Sequence, residues 1–207
     1  MIDYNYSIFD DNPVVFIEHR WLHNQKGEVP IDNTRVPLGE AKIIRQGDKI
    51  TIVSMSLMTM EGLKAVDELQ KQDISCELID LRTVAPIDWE RIFNSVSKTR
   101  RLLVLDTGAK TGSISSEIIS RVSRKFFNIL LSAPTRITYP DIPTPSSPAL
   151  TKDFYPDAVS IIKKIGEILS INVKTDHMLL SDTPHDVPGD WFKGLEESAY
   201  KSTKYLV

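Results

Sequence analysis

The stretch Ile79-Asp80-Leu81-Arg82-Thr83-Val84-Ala85-Pro86-Ile87-Asp88 decides the fold, because it carries the chain out of a buried strand and into a helix. Residues 76–81 form a short apolar run of the length a buried strand uses. Pro86 has no amide hydrogen to give to a ladder, so the strand ends before it. Asp88 stands at an N-cap position, and Trp89, Ile92, Phe93 and Val96 follow as an apolar stripe at helical spacing. Strand, shaped loop and helix in that order make the unit from which layered α/β folds are built.

The same alternation continues on both sides. Residues 57–70 place Met60, Leu63, Val66 and Leu69 on one helical face, and residues 113–127 do the same with Ile114, Ile118, Val122 and Phe126. Residues 101–106 and 136–139 read as strands, the second ended by Pro140. Pro140, Pro143, Pro145 and Pro148 make a stiff connector, and Pro156 opens a last helix to about Leu169, with Ala158, Ile162, Ile165 and Leu169 facing inward. Nearer the N-terminus, residues 2–10 suggest a short helix and 14–18 a strand. Residues 20–38 form a polar connector with Gly27, Pro30 and Pro37. Residues 41–45 and 50–54 flank Gln46-Gly47-Asp48, which reads as the turn of an antiparallel hairpin. Right-handed crossovers assemble this order into five strands, mostly parallel, between helical layers.

Composition bounds the function. With 207 residues, 41% hydrophobic and 26% charged, the chain supports one sizeable core and a small appendage. A formal charge of -3 and a pI near 5.8 give no basis for phosphate-backbone binding, so no nucleic acid partner is expected. Arg100-Arg101 and Lys163-Lys164, the densest basic pairs, read as solvated surface. No apolar run approaches the roughly 20 residues that cross a bilayer, so no membrane partner and a cytoplasmic location are expected. Cys76 is the lone cysteine, which excludes an intrachain disulfide and reads as a small buried hydrophobe.

Motifs for chemistry are sparse. Asp106-Thr107-Gly108-Ala109-Lys110-Thr111-Gly112-Ser113 runs from strand to helix, where free amides hold anions in other folds. The phosphate-loop spacing fails, because Val104, Leu105 and the rest of the strand before Asp106 supply no glycine, and a tight turn is the better account. His19 and His23 are too poor in neighbouring ligands for zinc. No Gly-x-Ser-x-Gly elbow accompanies Ser115, Ser116 or Asp106, and His177 and His185 lie beyond the last core helix. Arg82 lies just past the carboxyl end of a strand, where open α/β sheets present their binding crevice. Two readings of it stand: a guanidinium satisfying loop carbonyls or Asp88, or, with Lys110 and Ser113, a contact for a small anion. His19, Arg20 and Trp21 form a candidate interface patch or a partly exposed edge.

The 79–88 stretch resembles the C-terminal domain of transketolase-like, thiamine diphosphate-dependent enzymes, above all the beta subunit of the decarboxylating component of 2-oxo acid dehydrogenases (pyruvate dehydrogenase type). Similar segments follow in order. They are Asp11-Asn12-Pro13-Val14-Val15-Phe16-Ile17-Glu18-His19-Arg20, Val36-Pro37-Leu38-Gly39-Glu40-Ala41, and Leu103-Val104-Leu105-Asp106 with Gly108 and Gly112. Tyr139-Pro140-Asp141-Ile142-Pro143-Thr144-Pro145, Pro148-Ala149-Leu150 and Phe154-Tyr155-Pro156-Asp157-Ala158 complete the match, which covers roughly residues 10–170.

The resemblance implies a three-layer α/β sandwich with four parallel strands and one antiparallel strand. It implies a division into a remnant of a preceding domain with a connector (1–38) and the transketolase C-terminal-like domain (39–172), whereas residues 173–207 run past the point where most such beta subunits stop, and their low apolar density and prolines read as an extended arm. Thiamine diphosphate and magnesium belong to the complete enzyme, which holds them with a Gly-Asp-Gly motif, a downstream Asn and an activating glutamate from other domains. Here Gly189-Asp190 is followed by Trp191, so no catalytic, cofactor-binding or metal role is carried onto this chain. The implied task is association: a homodimer, an alpha-type subunit or pyrophosphate-binding domain, and in some members the dihydrolipoyl acyltransferase. The chemistry served is oxidative decarboxylation with acyl transfer to lipoamide, or ketol transfer in the transketolase branch. Trp191 and Phe192 anchor the arm to a partner or to this chain itself. The alternative of another class is a freestanding α/β module that holds a small anionic ligand near Arg82, Lys110 and Ser113.

Overall fold

The computed structural model describes residues 10–20, 22, 36–151, 154–175 and 178. Five strands are present: β1 (Lys42–Arg45), β2 (Ile50–Ser54), β3 (Cys76–Asp80), β4 (Leu102–Ala109) and β5 (Thr135–Tyr139). The helices are α1 (Leu57–Gln70), α2 (Trp89–Thr99), α3 (Ile114–Phe126), the short α4 (Pro148–Thr151) and α5 (Ala158–Leu169). The sheet order is β1-β3-β2-β4-β5, with only the β1–β3 pair antiparallel.

β2, β3 and the first residues of β4 are buried on both faces, as their near-continuous apolar runs require in a parallel sheet. Period-two alternation then sends side chains to two cores. Ile50, Ile52, Leu78, Leu103 and Leu105 meet Met58, Leu63 and Leu69 of α1 and Ile161, Ile162 and Ile165 of α5. On the other side Val53, Ile79, Leu102 and Val104 meet Ile92 and Val96 of α2 and Ile118 and Val122 of α3. Three layers result, as the sequence leads one to expect. α2 is also fixed by hydroxyls, since Thr51 Oγ1 on β2 lies 2.7 Å from both Ser95 Oγ and Thr99 Oγ1.

Two expectations are corrected. β1 and β2 do not form a hairpin, because β3 inserts between them and takes β1 as its antiparallel partner, Ile43 opposite Ile79. The 46–48 turn instead passes across the start of β3, where Asp48 and Lys49 donate their amides to the Ser75 carbonyl at 3.3 and 3.0 Å. Gly47 is required there by close approach: a Cβ would stand 2.2 Å from the Cys76 carbonyl carbon. Residues 14–18 take no regular secondary structure and join no ladder among the described residues, so the expected strand is not formed. The helix expected at 2–10, and Trp21, His23, His177, His185, Trp191 and Phe192, lie outside the described residues.

Candidate functional site at the carboxyl edge of the sheet

The four parallel strands end together, and β1, running the other way, begins at the same edge: Lys42 faces Asp80, and Ser54 faces both Asp80 and Leu105. Beyond this edge the β2–α1 loop leaves toward one core and the β3–α2 loop toward the other, the divergence that opens a crevice in α/β sheets.

The β3–α2 loop is held from within. Leu81 is fully buried and donates its amide to the Ser54 carbonyl at 2.9 Å. Arg82 follows in the left-handed region, φ +58°, with its amide on Asp80 Oδ1 at 3.2 Å. Thr83 Oγ1 accepts from Gly39 N at 3.2 Å, tying the loop to the residues before β1. Asp88 ends it: one oxygen accepts from Arg91 N at 3.0 Å as the cap of α2, and the other from Ala41 N at 3.0 Å and Arg91 Nε at 3.2 Å. Burial pushes the Asp88 carboxyl up, but the amides of Arg91 and Ala41 and the Arg91 side chain outweigh it and hold the group below the usual carboxylate range. No hydrogen bond joins the Arg82 guanidinium to Asp88, so the reading in which Asp88 satisfies Arg82 is corrected.

Asp80 closes the floor of the crevice. Ser54 Oγ donates to Thr59 Oγ1 at 3.0 Å, with the Ile79 carbonyl at the same distance as its other acceptor. Thr59 Oγ1 donates to Asp80 Oδ1 at 3.4 Å. Burial pushes the Asp80 carboxyl up, against the opposing pull of the Arg82 amide, the Arg82 charge and Thr59. Lys42 beside it is pushed down, first by burial and then by the Arg82 charge, with Asp80 pulling it back.

The β4–α3 loop consumes its own donors. Asp106 accepts from Gly108 N at 2.8 Å and Ser115 N at 3.0 Å, so a buried carboxylate already occupies the first turn of α3. Asp141 accepts from Thr111 N and Thr111 Oγ1 at 2.8 and 2.7 Å. Ser113 Oγ pairs with Ser115 Oγ at 2.5 Å, and Lys110 is exposed. Arg82 leaves from β3, whereas Lys110 and Ser113 follow β4. β2 stands between their strands, an offset of about 10 Å at the ordinary strand spacing.

A feature the sequence did not single out lies past β5. Tyr139, Phe154 and Tyr155 pack with ring centroids 4.9–5.4 Å apart. Glu61 of α1 accepts from the first amide of α5, Ala158 N, at 3.0 Å, and Asp157 forms a capping box with Ser160. The Tyr139 hydroxyl is buried without a partner, and burial first, then the charges of Tyr155, Glu61 and Asp106, push it up to about 12. The signal was present as aromatics beside Pro140 and Pro156, but their meeting spans a connector with no periodicity.

Of the candidate interface, His19 is half-buried, with its carbonyl accepting from Leu22 N at 2.9 Å, and Arg20 is exposed. Just before them Val15 and Ile17 are 84% and 80% exposed. The described carboxylates do not suit a magnesium diphosphate. Asp88, Asp106 and Asp141 are occupied by the chain's own amides, and no group of three or more His, Cys, Asp or Glu among the described residues is placed to hold a metal. No helix among the described residues is long and apolar enough to cross a membrane.

Residues 39–161 match the family described as Transketolase, C-terminal domain. The chain is 36% identical over 155 residues to the acetoin:2,6-dichlorophenolindophenol oxidoreductase subunit beta of Cupriavidus necator, a match covering 75% of this chain and 46% of that protein. It is 36% identical over 167 residues to the pyruvate dehydrogenase E1 component subunit beta of Rickettsia felis, covering 81% and 51%. It is 38% identical over 157 residues to the 2-oxoisovalerate dehydrogenase subunit beta of Bacillus subtilis, covering 74% and 48%. The chain thus spans about half the length of the curated relatives it matches. Among solved structures, a split gene transketolase described as an inactive beta4 tetramer superposes with a TM-score of 0.59 at 22% identity, over 70% of this chain and 47% of that one. Sequence, topology and the matched segment agree: the chain belongs to the transketolase C-terminal domain family.

Proposed function

We propose that this chain is an association domain of the beta subunit of a thiamine diphosphate-dependent 2-oxo acid dehydrogenase of the pyruvate dehydrogenase type, and that it carries no catalytic activity alone. The observation that carries this reading is the segment Val14-Val15-Phe16-Ile17. An apolar run of this kind belongs in a strand covered on both faces. Here it joins no ladder among the described residues and leaves Val15 and Ile17 in solvent. In this reading the segment is covered by another domain. The subunit names of the relatives support the same reading.

In this proposal residues 39–172 form the domain, and residues 1–38 and 173–207 reach from it toward neighbours. Those neighbours are a second copy, an alpha-type subunit or pyrophosphate-binding domain, and the dihydrolipoyl acyltransferase. His19, Arg20, Trp21, Trp191 and Phe192 belong to these contacts. The whole assembly, cytoplasmic in this reading, binds thiamine diphosphate and magnesium, which supply the chemistry of decarboxylation. In this reading the described residues position the neighbours rather than the cofactor, and the engagement of Asp88, Asp106 and Asp141 by backbone amides supports that.

A turnover assay tests the proposal. The purified chain, given thiamine diphosphate, magnesium, a 2-oxo acid and an artificial electron acceptor, is expected to show no turnover. Turnover by the chain without a companion contradicts it.

A further inference from the structure

Four arginines of the described residues are half-buried: Arg45, Arg82, Arg101 and Arg136. Arg45 forks onto both oxygens of Asp67, at 2.8 and 3.1 Å. Arg101 Nη1 donates to the Lys49 carbonyl at 3.3 Å, and Arg136 reaches Ser116 Oγ. Arg82 alone bonds only through its main chain; its guanidinium donates to none of the described residues. Of the nearby acceptors, Asp88 is engaged by Ala41 and Arg91, the Leu81 carbonyl by Thr83 N and the Ser54 carbonyl by Leu81 N, while Asp80 and Glu40 act on the guanidinium through charge without a hydrogen bond to it. A guanidinium offers five donors in a rigid fork, and this one is carried on a backbone at φ +58°, where a side chain other than Gly is strained. Strain kept at a position with unspent donors, on the binding edge of the sheet, is an arrangement characteristic of ligand sites.

We propose that Arg82 is the fork of a binding site for the carboxylate of a small organic acid, in the gap where the loops after β2 and β3 leave for opposite faces. The surrounding charges are balanced. Lys42, Arg82 and Arg91 contribute three cations, Glu40, Asp80 and Asp88 face the same loop, and Asp88 is already paired with Arg91. Recognition therefore rests on the geometry of the fork, which meets a planar carboxylate with two parallel hydrogen bonds, and the balanced surroundings give no net field for a dianionic phosphate. Crevices between diverging loops of open α/β sheets receive small ligands. The proposal concerns a single chain, so its test is separate from any test of association.

Side-chain NMR of the arginine Nε–H groups reads it directly. The Arg82 signal is assigned by its loss in Arg82→Lys, a variant that keeps the charge and removes the fork. Titration with acetate is expected to move that signal saturably, with a dissociation constant in the millimolar range, while sodium chloride at equal ionic strength leaves it in place. Arg45 and Arg136 serve as internal controls that do not move. A response no larger than that to chloride, one shared equally by all arginines, or a stronger response to phosphate overturns the proposal. Thermal melting of Arg82→Lys within a few degrees of the parent shows that the comparison is made on a folded chain.

Discussion

At the scale of single residues, Asp88 does the most to join sequence to structure. Its side chain caps α2 and also takes the amide of Ala41 from 47 residues away, so one carboxylate fixes the loop and the start of the edge strand together. The first role is legible in sequence, because a cap lies next to the stripe it starts. The second is not, because nothing near Asp88 in the chain announces Ala41. The same gap hid the state of Arg82: which acceptor an arginine finds depends on how distant segments have used the candidates. Asp88→Ala removes a cap and leaves an amide short of its acceptor, an expected loss of about 1–2 kcal/mol in urea unfolding. The pH dependence has a definite direction. The folded-state pKa of Asp88 lies below its unfolded value, so its stabilisation is fully present above about pH 4 and is lost as pH falls through the folded value. Asp88→Asn is expected to lose that acid-limb dependence, and a parent-like acid limb in the variant contradicts the assignment.

At the scale of elements, the three central strands and four long helices are legible because apolar periodicity is local and strong. The partner of β1 is not, since a Gln-Gly-Asp turn between two short strands signals a hairpin, while the insertion of β3 is a non-local event. Gly47 then serves packing: Gly47→Ala places a methyl group against the Cys76 backbone, which cannot move without breaking the pairing of Ile50 with Cys76. An expected loss of about 1–3 kcal/mol follows, measured by urea unfolding. Alanine tolerated there contradicts the observed path of the turn. The segment 14–18 is the converse case, since its sequence reads as a strand and its partner is absent from the sheet. Val15→Asp with Ile17→Asp is expected to change the stability of the isolated chain by less than about 0.5 kcal/mol, because both side chains are solvated. If instead the pair destabilises the isolated chain substantially, these residues pack on this domain and are not held out for another.

At the scale of the whole molecule, the layers, the strand number and the lone antiparallel strand follow from the order of elements and the handedness of crossovers. The aromatic cluster of Tyr139, Phe154 and Tyr155 escaped that reading because it is assembled across a proline-rich connector. What the sheet edge offers a ligand also emerges only in three dimensions. The β4–α3 loop looks like an anion cradle in sequence, yet Asp106 fills it from below. Among the described residues, the Arg82 guanidinium donates to no partner at this edge, and Val15 and Ile17 are the most exposed of the large apolar side chains. In the proposed reading such a domain acts through its neighbours, and calorimetry tests that most directly. Titrating thiamine diphosphate with magnesium into the purified chain is expected to give no binding heat beyond dilution, whereas a saturable isotherm with a micromolar dissociation constant would contradict the account.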